Sequence, residues 1–260
     1  MSEIHKTAIV SKKAEIGENV KIGPYSIIND FVIIGNGVEI QNSVYVDSGV
    51  KIGNNCKISV GAVLGTQPQD TKYKGATTKV EIGENTIIRE YATINRGTEH
   101  GGGITRIGKG CYIMAYSHIA HDCILGNEVV MANVATLAGH VVIEDYAVVG
   151  GLTPVHQFVR IGKYAFIGGA SRVPMDVLPF VRAAGIPLKI IGLNLIGLKR
   201  RGFTSERLQI LEKIFRLLLR SGYNTSKAVE KIKENITLNE DVENVLNFIK
   251  NSKRGITRRL

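Results

Sequence analysis

Apolar residues recur at every sixth position over most of residues 4–173. The spacing is unbroken over residues 4–64, returns over 82–94 and continues over 107–173, which gives 26 six-residue units that each begin with an apolar anchor. We call these units hexads. A period of six fits neither an amphipathic helix nor a long alternating strand. It predicts a short strand followed by a corner, repeated around a prism, with the anchor pointing into the core.

The fifth residue of each hexad is usually small or β-branched, as at Val20 and Ala135. All three cysteines, Cys56, Cys111 and Cys123, occupy this position. An odd number of cysteines without metal-type spacing favours neither a disulfide framework nor a zinc knuckle. We therefore expect three reduced thiols.

The repeat resembles that of the hexapeptide-repeat family, whose members are left-handed parallel β-helices with three hexads in each 18-residue coil. The resemblance implies a mainly β fold with a left-handed path and a triangular cross-section. With neighbouring coils ~4.8 Å apart, the hexads would build a prism about 40 Å tall. Residues 67–79 and 99–106 interrupt the register, so we expect them to form loops outside the wall.

The pattern changes after residue 173. Residues 205–220 carry apolar residues at helical spacing behind a cap at Thr204 or Ser205. A second helix is predicted to begin at Asn224 or Thr225, and a third to cover 239–252, whereas 179–203 has no clear period. We divide the chain into a β-helix domain (1–186) and a small C-terminal α-helical domain (187–260).

The formal net charge of +10 is concentrated in the C-terminal part. Residues 187–260 contain 16 Lys and Arg against 7 Asp and Glu, a surplus of 9. Apart from an ordinary solvated surface, such a surplus favours nucleic acid, an anionic membrane surface or an acidic protein as partner. No aromatic residues alternate with the basic ones as a nucleic-acid stacking platform requires. No apolar run is long enough to span a membrane, and the N-terminus does not resemble a signal peptide. We expect a cytoplasmic protein that is not membrane-embedded and binds no nucleic acid.

Four of the six histidines fall close together in the predicted coils. Residues 18 apart stack in neighbouring coils. The hexads that contain His121, His140 and His156 therefore lie on one face in three successive coils, and His118 comes just before the first of them. The same register puts Gly139 over His121. Because coils are ~4.8 Å apart, the three rings should lie within roughly 10 Å of one another.

This cluster has three possible interpretations. The histidines could be ordinary surface residues, or they could bind zinc, as in hexapeptide-repeat proteins that resemble carbonic anhydrases. Zinc needs ligands that converge at about 2.1 Å, and we expect the rings of His121, His140 and His156 to diverge, so we predict no metal. General acid–base chemistry needs one imidazole, an orienting carboxylate and a donor for developing charge. His121, Asp122 and the backbone N–H of Gly139 can supply these three parts.

Seven short motifs resemble those of the UDP-N-acetylglucosamine acyltransferase family, which starts lipid A biosynthesis. They are GPYSII (23–28), PQD (68–70), RGT (96–98), IAHDC (119–123), LAGH (137–140), PVHQF (154–158) and GLKRRGF (197–203). The resemblance covers nearly the whole chain, including the hexads, the two loops and the helical tail.

The resemblance implies a reaction and a role for three residues. The 3-hydroxyl of UDP-N-acetylglucosamine attacks the thioester of a 3-hydroxyacyl chain on acyl carrier protein. His121 takes the hydroxyl proton, Asp122 orients His121, and the N–H of Gly139 meets the oxyanion. A thioester is already activated, so no cofactor is expected. Acyl carrier proteins are acidic, and the basic C-terminal domain is therefore a natural docking surface.

The resemblance also implies substrate contacts and an assembly. The residues expected to contact the nucleotide sugar are Asp70, Lys72, His118, His140, His156, Gln157, Asn194, Arg200 and Arg201. Gly169 corresponds to the far end of the acyl groove, where a bulky residue would shorten the chain, so we expect a long acyl chain. Members of the family are homotrimers with sites between neighbouring prisms, so the Arg200 region of one subunit would complete the site of another.

Two positions depart from the family pattern. Asn95 stands where many relatives have histidine, and Ile196 where some have an acidic residue. Both would lie near the sugar, which leaves a 3-amino sugar and an amide product as an alternative. The later N-acyltransferase of the same pathway has an additional N-terminal domain, whereas the first hexad here already begins at Ile4.

Overall fold

Short strands alternate with tight corners through the first two thirds of the chain. The structure, a computed structural model, describes residues 2–258. Its strands are β1 (Glu3–Ile4), β2 (Ile9–Val10), β3 (Glu15–Ile16), β4 (Lys21–Ile22), β5 (Ile27–Ile28), β6 (Ile33–Ile34), β7 (Glu39–Ile40), β8 (Tyr45–Val46), β9 (Val50–Ile52), β10 (Lys57–Ile58), β11 (Val63–Thr66), β12 (Lys79–Ile82), β13 (Ile87–Ile88), β14 (Thr93–Asn95), β15 (Ile104–Ile107), β16 (Tyr112–Ile113), β17 (His118–Ile119), β18 (Ile124–Leu125), β19 (Val130–Met131), β20 (Thr136–Leu137), β21 (Val142–Ile143), β22 (Val148–Val149), β23 (Pro154–Val155), β24 (Arg160–Ile161), β25 (Phe166–Ile167), β26 (Val181–Ala184) and β27 (Lys189–Leu193).

The strands stack into three sheets that form the faces of a prism. Face A contains every third strand from β1 to β25 together with β26 and β27, face B runs from β2 to β23, and face C from β3 to β24. Neighbouring strands within the wall are parallel, as where Ile119 lies opposite Leu137. Each coil passes from face A to face B to face C. We name the three edges after the faces that they join: AB, BC and CA. The β-helix predicted from the period of six is confirmed.

The anchors form the core of the prism. Every anchor over residues 22–173 is buried, whereas Ile4, in the first coil, is 47% exposed. Most corners have a left-handed residue at the fourth hexad position, with φ of +58° at Asp122, +60° at His140 and +64° at Val134. Such φ values are uncommon for residues other than glycine. The three free cysteines are buried, which agrees with the prediction of reduced thiols.

Two loops interrupt the wall next to the BC edge. The first loop (67–78) connects β11 to β12, close to the predicted 67–79. The second loop covers 96–103, so the predicted range 99–106 was wrong at both ends. Residues 104–106 belong to β15, where Ile104 pairs with Lys79 and Thr105 with Val80. The strands that flank both loops are longer than a usual two-residue strand and pair with each other, which the spacing of the anchors does not show.

A β-hairpin and a short helix lie in the segment for which no element was predicted. Strands β26 and β27 are antiparallel and extend face A to Leu193. The proposed division between residues 186 and 187 falls in the turn of this hairpin, and as a statement about separate domains it stays a prediction. The short helix α1 (Leu195–Arg200) follows directly.

Three longer helices complete the fold: α2 (Ser205–Leu219), α3 (Thr225–Asn235) and α4 (Glu240–Lys250). Their N-caps are Thr204, Asn224 and Asn239, whose side chains each accept a backbone N–H of the first turn. The three predicted helices are confirmed. Among residues 2–258, no helix is long and apolar enough to cross a membrane.

Candidate active site

The hexad register places His121 and Asp122 at the BC edge, at the third and fourth positions of their hexad. Both residues lie in the wall's surface but are nearly closed off, with exposed fractions of 6% and 5%. Gly139 and His140 occupy the corresponding corner one coil further on. The predicted stacking of these two corners is confirmed, since the backbone N–H of His140 donates to the carbonyl oxygen of His121 (3.0 Å).

His121 and Asp122 form a hydrogen-bonded pair. The distance from Nδ1 of His121 to Oδ2 of Asp122 is 2.8 Å. An ionised carboxylate only accepts hydrogen bonds, so Nδ1 carries the proton in this contact. In the neutral imidazole, Nε2 then has a free lone pair. The pair thus presents the basic nitrogen on the side away from the carboxylate.

Asp122 is held by further donors from the second loop. The backbone N–H of Thr98 donates to Oδ1 (2.9 Å), and the Thr98 hydroxyl donates to Oδ2 (2.7 Å). The backbone N–H of Asp122 itself donates to Oγ1 of Thr105 (2.8 Å). Buried carboxylates need such donors to stay charged. The sequence offered the RGT motif at 96–98 but no signal that Thr98 would bind Asp122.

Gly139 lies against the ring of His121. A Cβ atom at this position would lie 2.5 Å from Cε1 and 2.7 Å from Nε2 of His121, so no larger residue fits unless the ring moves. Within residues 2–258, the N–H of Gly139 donates to no other group. An unpaired backbone donor therefore lies beside the free nitrogen of His121, which is the arrangement needed to stabilise an oxyanion where a proton is removed.

His140 and His118 flank the pair. The His140 ring is edge-on to His121, with centroids 5.1 Å apart, and stacks on Phe158 at 4.6 Å. Burial lowers the pKa of His140, although the nearby charge of Asp122 opposes that shift. Burial also lowers the pKa of His118, whose Nδ1 lies 2.7 Å from the Thr93 hydroxyl. Both imidazoles therefore favour the neutral form, which can donate or accept one hydrogen bond at each nitrogen.

The predicted divergence of the histidines was wrong in part. Nitrogen and oxygen atoms of His121, Asp122 and His140 lie within 4.8 Å of one another, with Nε2 of His140 3.8 Å from Oδ2 of Asp122. His156 is exposed, and its Nδ1 contacts the carbonyl of Gln157 (3.1 Å). As a metal site the cluster fits poorly, since both oxygens of Asp122 already accept hydrogen bonds from Thr98. The absence of a metal from the chemistry stays a prediction.

Asp70 lies in the first loop with both oxygens bonded. Oδ1 accepts the backbone N–H of Lys72 (2.9 Å), and Oδ2 lies 3.0 Å from Nε2 of His100. The N–H of Lys72, followed by the contact with His100, lowers the pKa of Asp70 against the opposing effect of burial. The Lys72 side chain is exposed. The sequence analysis did not identify His100, because the hexad register does not specify the position of a loop residue.

The remaining predicted residues do not reach the BC edge of their own chain. Asn194 caps α1 by accepting the N–H of Gly197 (3.3 Å) and donates to the carbonyl of Tyr164 (3.0 Å). Arg201 lies over the Tyr146 ring at 4.6 Å and pairs with Glu128 at the CA edge. Arg200 is exposed at the end of α1, and Gly169 is exposed at the AB edge.

The two departures from the family pattern differ in burial. Asn95 is 3% exposed and its Nδ2 donates to Oγ1 of Thr66 and to the carbonyl of Gln67, each at 3.0 Å. Its Oδ1 has no partner in the described part of the chain. Ile196, in contrast, is 64% exposed.

The fold and this edge define a class of protein, the hexapeptide-repeat transferases, with a His–Asp pair at a corner of a left-handed β-helix. A family model described as bacterial transferase hexapeptide (six repeats) matches residues 13–48 and 104–139, and one described as UDP-N-acetylglucosamine O-acyltransferase, domain 2, matches 176–257. The chain belongs to the family of UDP-N-acetylglucosamine O-acyltransferases.

Relatives cover the chain from end to end. An O-acyltransferase from Thermodesulfovibrio yellowstonii, named for acyl-acyl-carrier-protein and UDP-N-acetylglucosamine, is 52% identical over 99% of this chain and 100% of its own. The UDP-N-acetylglucosamine acyltransferase of Campylobacter jejuni is 42% identical, with a TM-score of 0.94 over 99% of this chain and 100% of its own. The Francisella novicida enzyme is 40% identical, with a TM-score of 0.96 over 98% and 94% of the two chains.

Proposed function

We propose that this acyltransferase uses His121 as general base in moving an acyl chain from acyl carrier protein to the 3-hydroxyl of UDP-N-acetylglucosamine. The observation that carries the proposal is the free Nε2 of His121 next to the unpaired N–H of Gly139. By the family resemblance, the acyl chain is a 3-hydroxyacyl chain and the reaction is the first step of lipid A biosynthesis.

The chemistry follows from this geometry. Nε2 of His121 takes the proton as the sugar hydroxyl attacks the thioester carbonyl, and the resulting imidazolium is stabilised by Asp122. The carbonyl oxygen becomes an oxyanion that accepts the N–H of Gly139. When the intermediate collapses, the C–S bond breaks and His121 returns its proton to the leaving thiolate. The thioester provides the electrophile, so the proposed mechanism uses no metal or cofactor.

The nucleotide sugar would bind beside this pair. Asp70 and Lys72 lie in the first loop, His118 and His140 flank His121, and we assign them to the sugar together with His156 and Gln157. Asn194, Arg200 and Arg201 are assigned to the same ligand, with the planar guanidinium groups suited to a diphosphate. Because Arg201 lies at the CA edge of its own chain, we assign this last group to a neighbouring subunit.

A homotrimer would place a neighbouring subunit against the BC edge. The AB edge exposes a column of apolar side chains at successive corners: Tyr91 (49%), Tyr116 (60%), Val134 (40%) and Leu152 (64%). A continuous apolar column of this kind marks an interaction surface. We propose that it faces the BC edge of the next subunit and lines the acyl groove. Gly169 lies at this AB edge and leaves room for a long chain.

The basic C-terminal domain would dock the carrier protein. Its surplus of nine positive charges complements an acidic partner and would raise the association rate more than the affinity. The cytoplasmic location expected from the sequence stays a prediction.

Mass spectrometry of the product tests the function directly. The enzyme is offered a mixture of 3-hydroxyacyl carrier thioesters of different length together with UDP-N-acetylglucosamine and its 3-amino analogue. We expect an O-acylated UDP-N-acetylglucosamine with one long chain length dominant. An amide product would instead assign the unpaired Oδ1 of Asn95 to an amine donor, and no transfer at all would contradict the proposal.

Mixing two inactive variants tests the shared site. His121→Ala and Arg200→Ala chains are co-expressed and assayed at low nucleotide sugar. If one subunit supplies His121 and its neighbour Arg200, about a quarter of the sites in a random 1:1 trimer keep both residues. Activity of that order, absent from either homogeneous variant, is expected. If the site lies within one chain, mixing restores nothing.

A further inference from the structure

The two loops that leave the wall contact each other beside the candidate site. The backbone N–H of Lys74 in the first loop donates to Oε1 of Glu99 in the second (3.1 Å). At the next residue, Nε2 of His100 lies 3.0 Å from Oδ2 of Asp70, which is 30 residues away in sequence. Two contacts therefore join the loops, and only one of them involves a residue proposed to bind the sugar.

His100 projects from a segment that is fixed on the catalytic carboxylate. Thr98 holds Asp122 through its backbone N–H and its hydroxyl. On the other side, a Cβ atom on Gly101 would lie 2.2 Å from Cγ of Asp122, so the chain at residue 101 covers this carboxylate directly. The backbone of His100 is thereby positioned relative to the His121–Asp122 pair from both directions.

The carboxylate of Asp70 is oriented by two donors. The N–H of Lys72 fixes Oδ1 and the ring of His100 fixes Oδ2, which leaves the remaining lone pairs to accept hydroxyl groups. The charge of Asp70 also opposes the lowering of the His140 pKa, of which burial is the largest cause. Asp70 therefore lies within electrostatic range of the imidazoles at the BC edge.

We infer that His100 is a positioning residue for the acceptor. It fixes the direction of the Asp70 carboxylate and so ties the position of the sugar to the segment that covers Asp122. This inference rests on the proposed role of Asp70 in sugar binding. Exposed ion pairs contribute little to stability, and Glu99 already joins the loops, so the contribution specific to His100 is the orientation of one carboxylate.

Steady-state kinetics on three full-length variants test the inference. His100→Ala should raise KM for UDP-N-acetylglucosamine about fivefold to tenfold, as expected for loss of one charge-assisted hydrogen bond. Its kcat and its KM for the acyl carrier thioester should stay within about twofold of the unmodified enzyme. His100→Gln keeps an N–H donor for Asp70 and should restore most of the affinity for the sugar. Glu99→Ala breaks the other contact between the loops and is the matched control, for which no change is expected.

Three results would overturn the inference. They are an unchanged sugar KM in His100→Ala, an equal rise in Glu99→Ala, or a fall in thermal midpoint with all kinetic constants altered together. Asp70→Asn separates this inference from the proposed function. If Asp70→Asn raises the sugar KM while His100→Ala does not, only the role of His100 fails. If Asp70→Asn has no effect on the sugar KM, the proposed role of Asp70 fails, and that of His100 with it.

Discussion

All three edges of the prism carry stacked rings at the fourth hexad position, including Tyr91 on Tyr116 at the AB edge (5.3 Å), but the columns at the BC and CA edges have different neighbours. At the BC edge, His140 stacks on Phe158 with centroids 4.6 Å apart. At the CA edge, Tyr146 stacks on Tyr164 at 4.7 Å, and Phe180 continues the column. The left-handed fourth residue of each corner points its side chain outward and aligns it with the one 18 residues away. The same backbone thus builds each column.

The edges differ in what covers them. At the CA edge, Phe203 packs edge-on against Tyr164 (5.1 Å) and Arg201 lies over Tyr146 (4.6 Å), so the segment that leads into the C-terminal helices is fixed there. At the BC edge, the second loop covers Asp122, while Phe158 stays 52% exposed. The repeat therefore provides equivalent positions at each edge. Segments outside the repeat decide whether an edge holds the C-terminal segment or forms the candidate active site.

Removing the base should separate activity from stability most strongly. We expect His121→Ala to lower kcat by about 10² to 10⁴, because the proton of the attacking hydroxyl then has no acceptor. The thermal midpoint should hardly change, since the prism core does not include this ring. Turnover and thermal unfolding are measured on the same preparation. If the variant keeps most of its activity, the BC edge is not the catalytic edge.

Truncating Phe203 should have the opposite effect, a loss of stability without a loss of activity. Phe203→Ala removes a ring that is 6% exposed and should lower the free energy of unfolding by about 3 kcal/mol, with kcat per folded molecule preserved. Phe158→Ala at the BC edge is the matched comparison, and it should cost little stability but reduce turnover. Urea unfolding and active-site-normalised kinetics measure both. Equal stability losses in the two variants would remove the distinction between the edges.

Loss of a single hydrogen-bond donor to Asp122 should lower kcat less than the loss of His121 does. Thr98→Val keeps the shape of the side chain but removes the hydroxyl that donates to Oδ2. We expect kcat to fall about tenfold, because the carboxylate that orients His121 is less firmly held. Thr153→Val, in which another buried threonine hydroxyl is lost near the AB edge, serves as control and should leave kcat unchanged. Equal losses would point to a general packing effect.

The smallest expected effect is a pH dependence of stability. Burial lowers the pKa of His118 and His140 in the folded chain, whereas in the unfolded chain histidines titrate at about 6.5. Below that pH the unfolded chain binds more protons, so the histidine contribution to stability is complete above about pH 6.5 and is lost as the pH falls. Urea unfolding between pH 7.5 and 5 should therefore show a shallower loss for His140→Gln than for the unmodified chain. If the free energy of unfolding falls equally with pH in both chains, His140 does not contribute to the pH dependence of stability.

The sequence predicted the wall of the β-helix and the position of the His121–Asp122 pair because both depend on the hexad register. A period of six specifies which residues are buried and which residues share an edge, and this was enough to place Gly139 against His121. The helices followed from their caps and apolar spacing. The hairpin of β26 and β27 was missed because its sequence shows neither the period of six nor the helical spacing. Its strands extend face A beyond the hexads.

Residues outside the register could not be assigned from the sequence. Thr98 and His100 reach Asp122 and Asp70 through loop conformations that no spacing encodes. Arg201 shows a different limit: its motif resembles the family, but its contacts within one chain, Tyr146 and Glu128, place it on another edge. Its role at the site depends on an assembly that a single chain does not contain.

The alignment of corners at intervals of 18 residues, as between Asn127 and Asp145, restricts how the wall can change in length. Adding or deleting a whole coil leaves every later side chain on its own edge, whereas a single-residue insertion would turn the rest of the wall inside out. Lineages that carry this scaffold should therefore differ in wall length by multiples of one turn, and gain or lose smaller numbers of residues only where the chain departs from the wall.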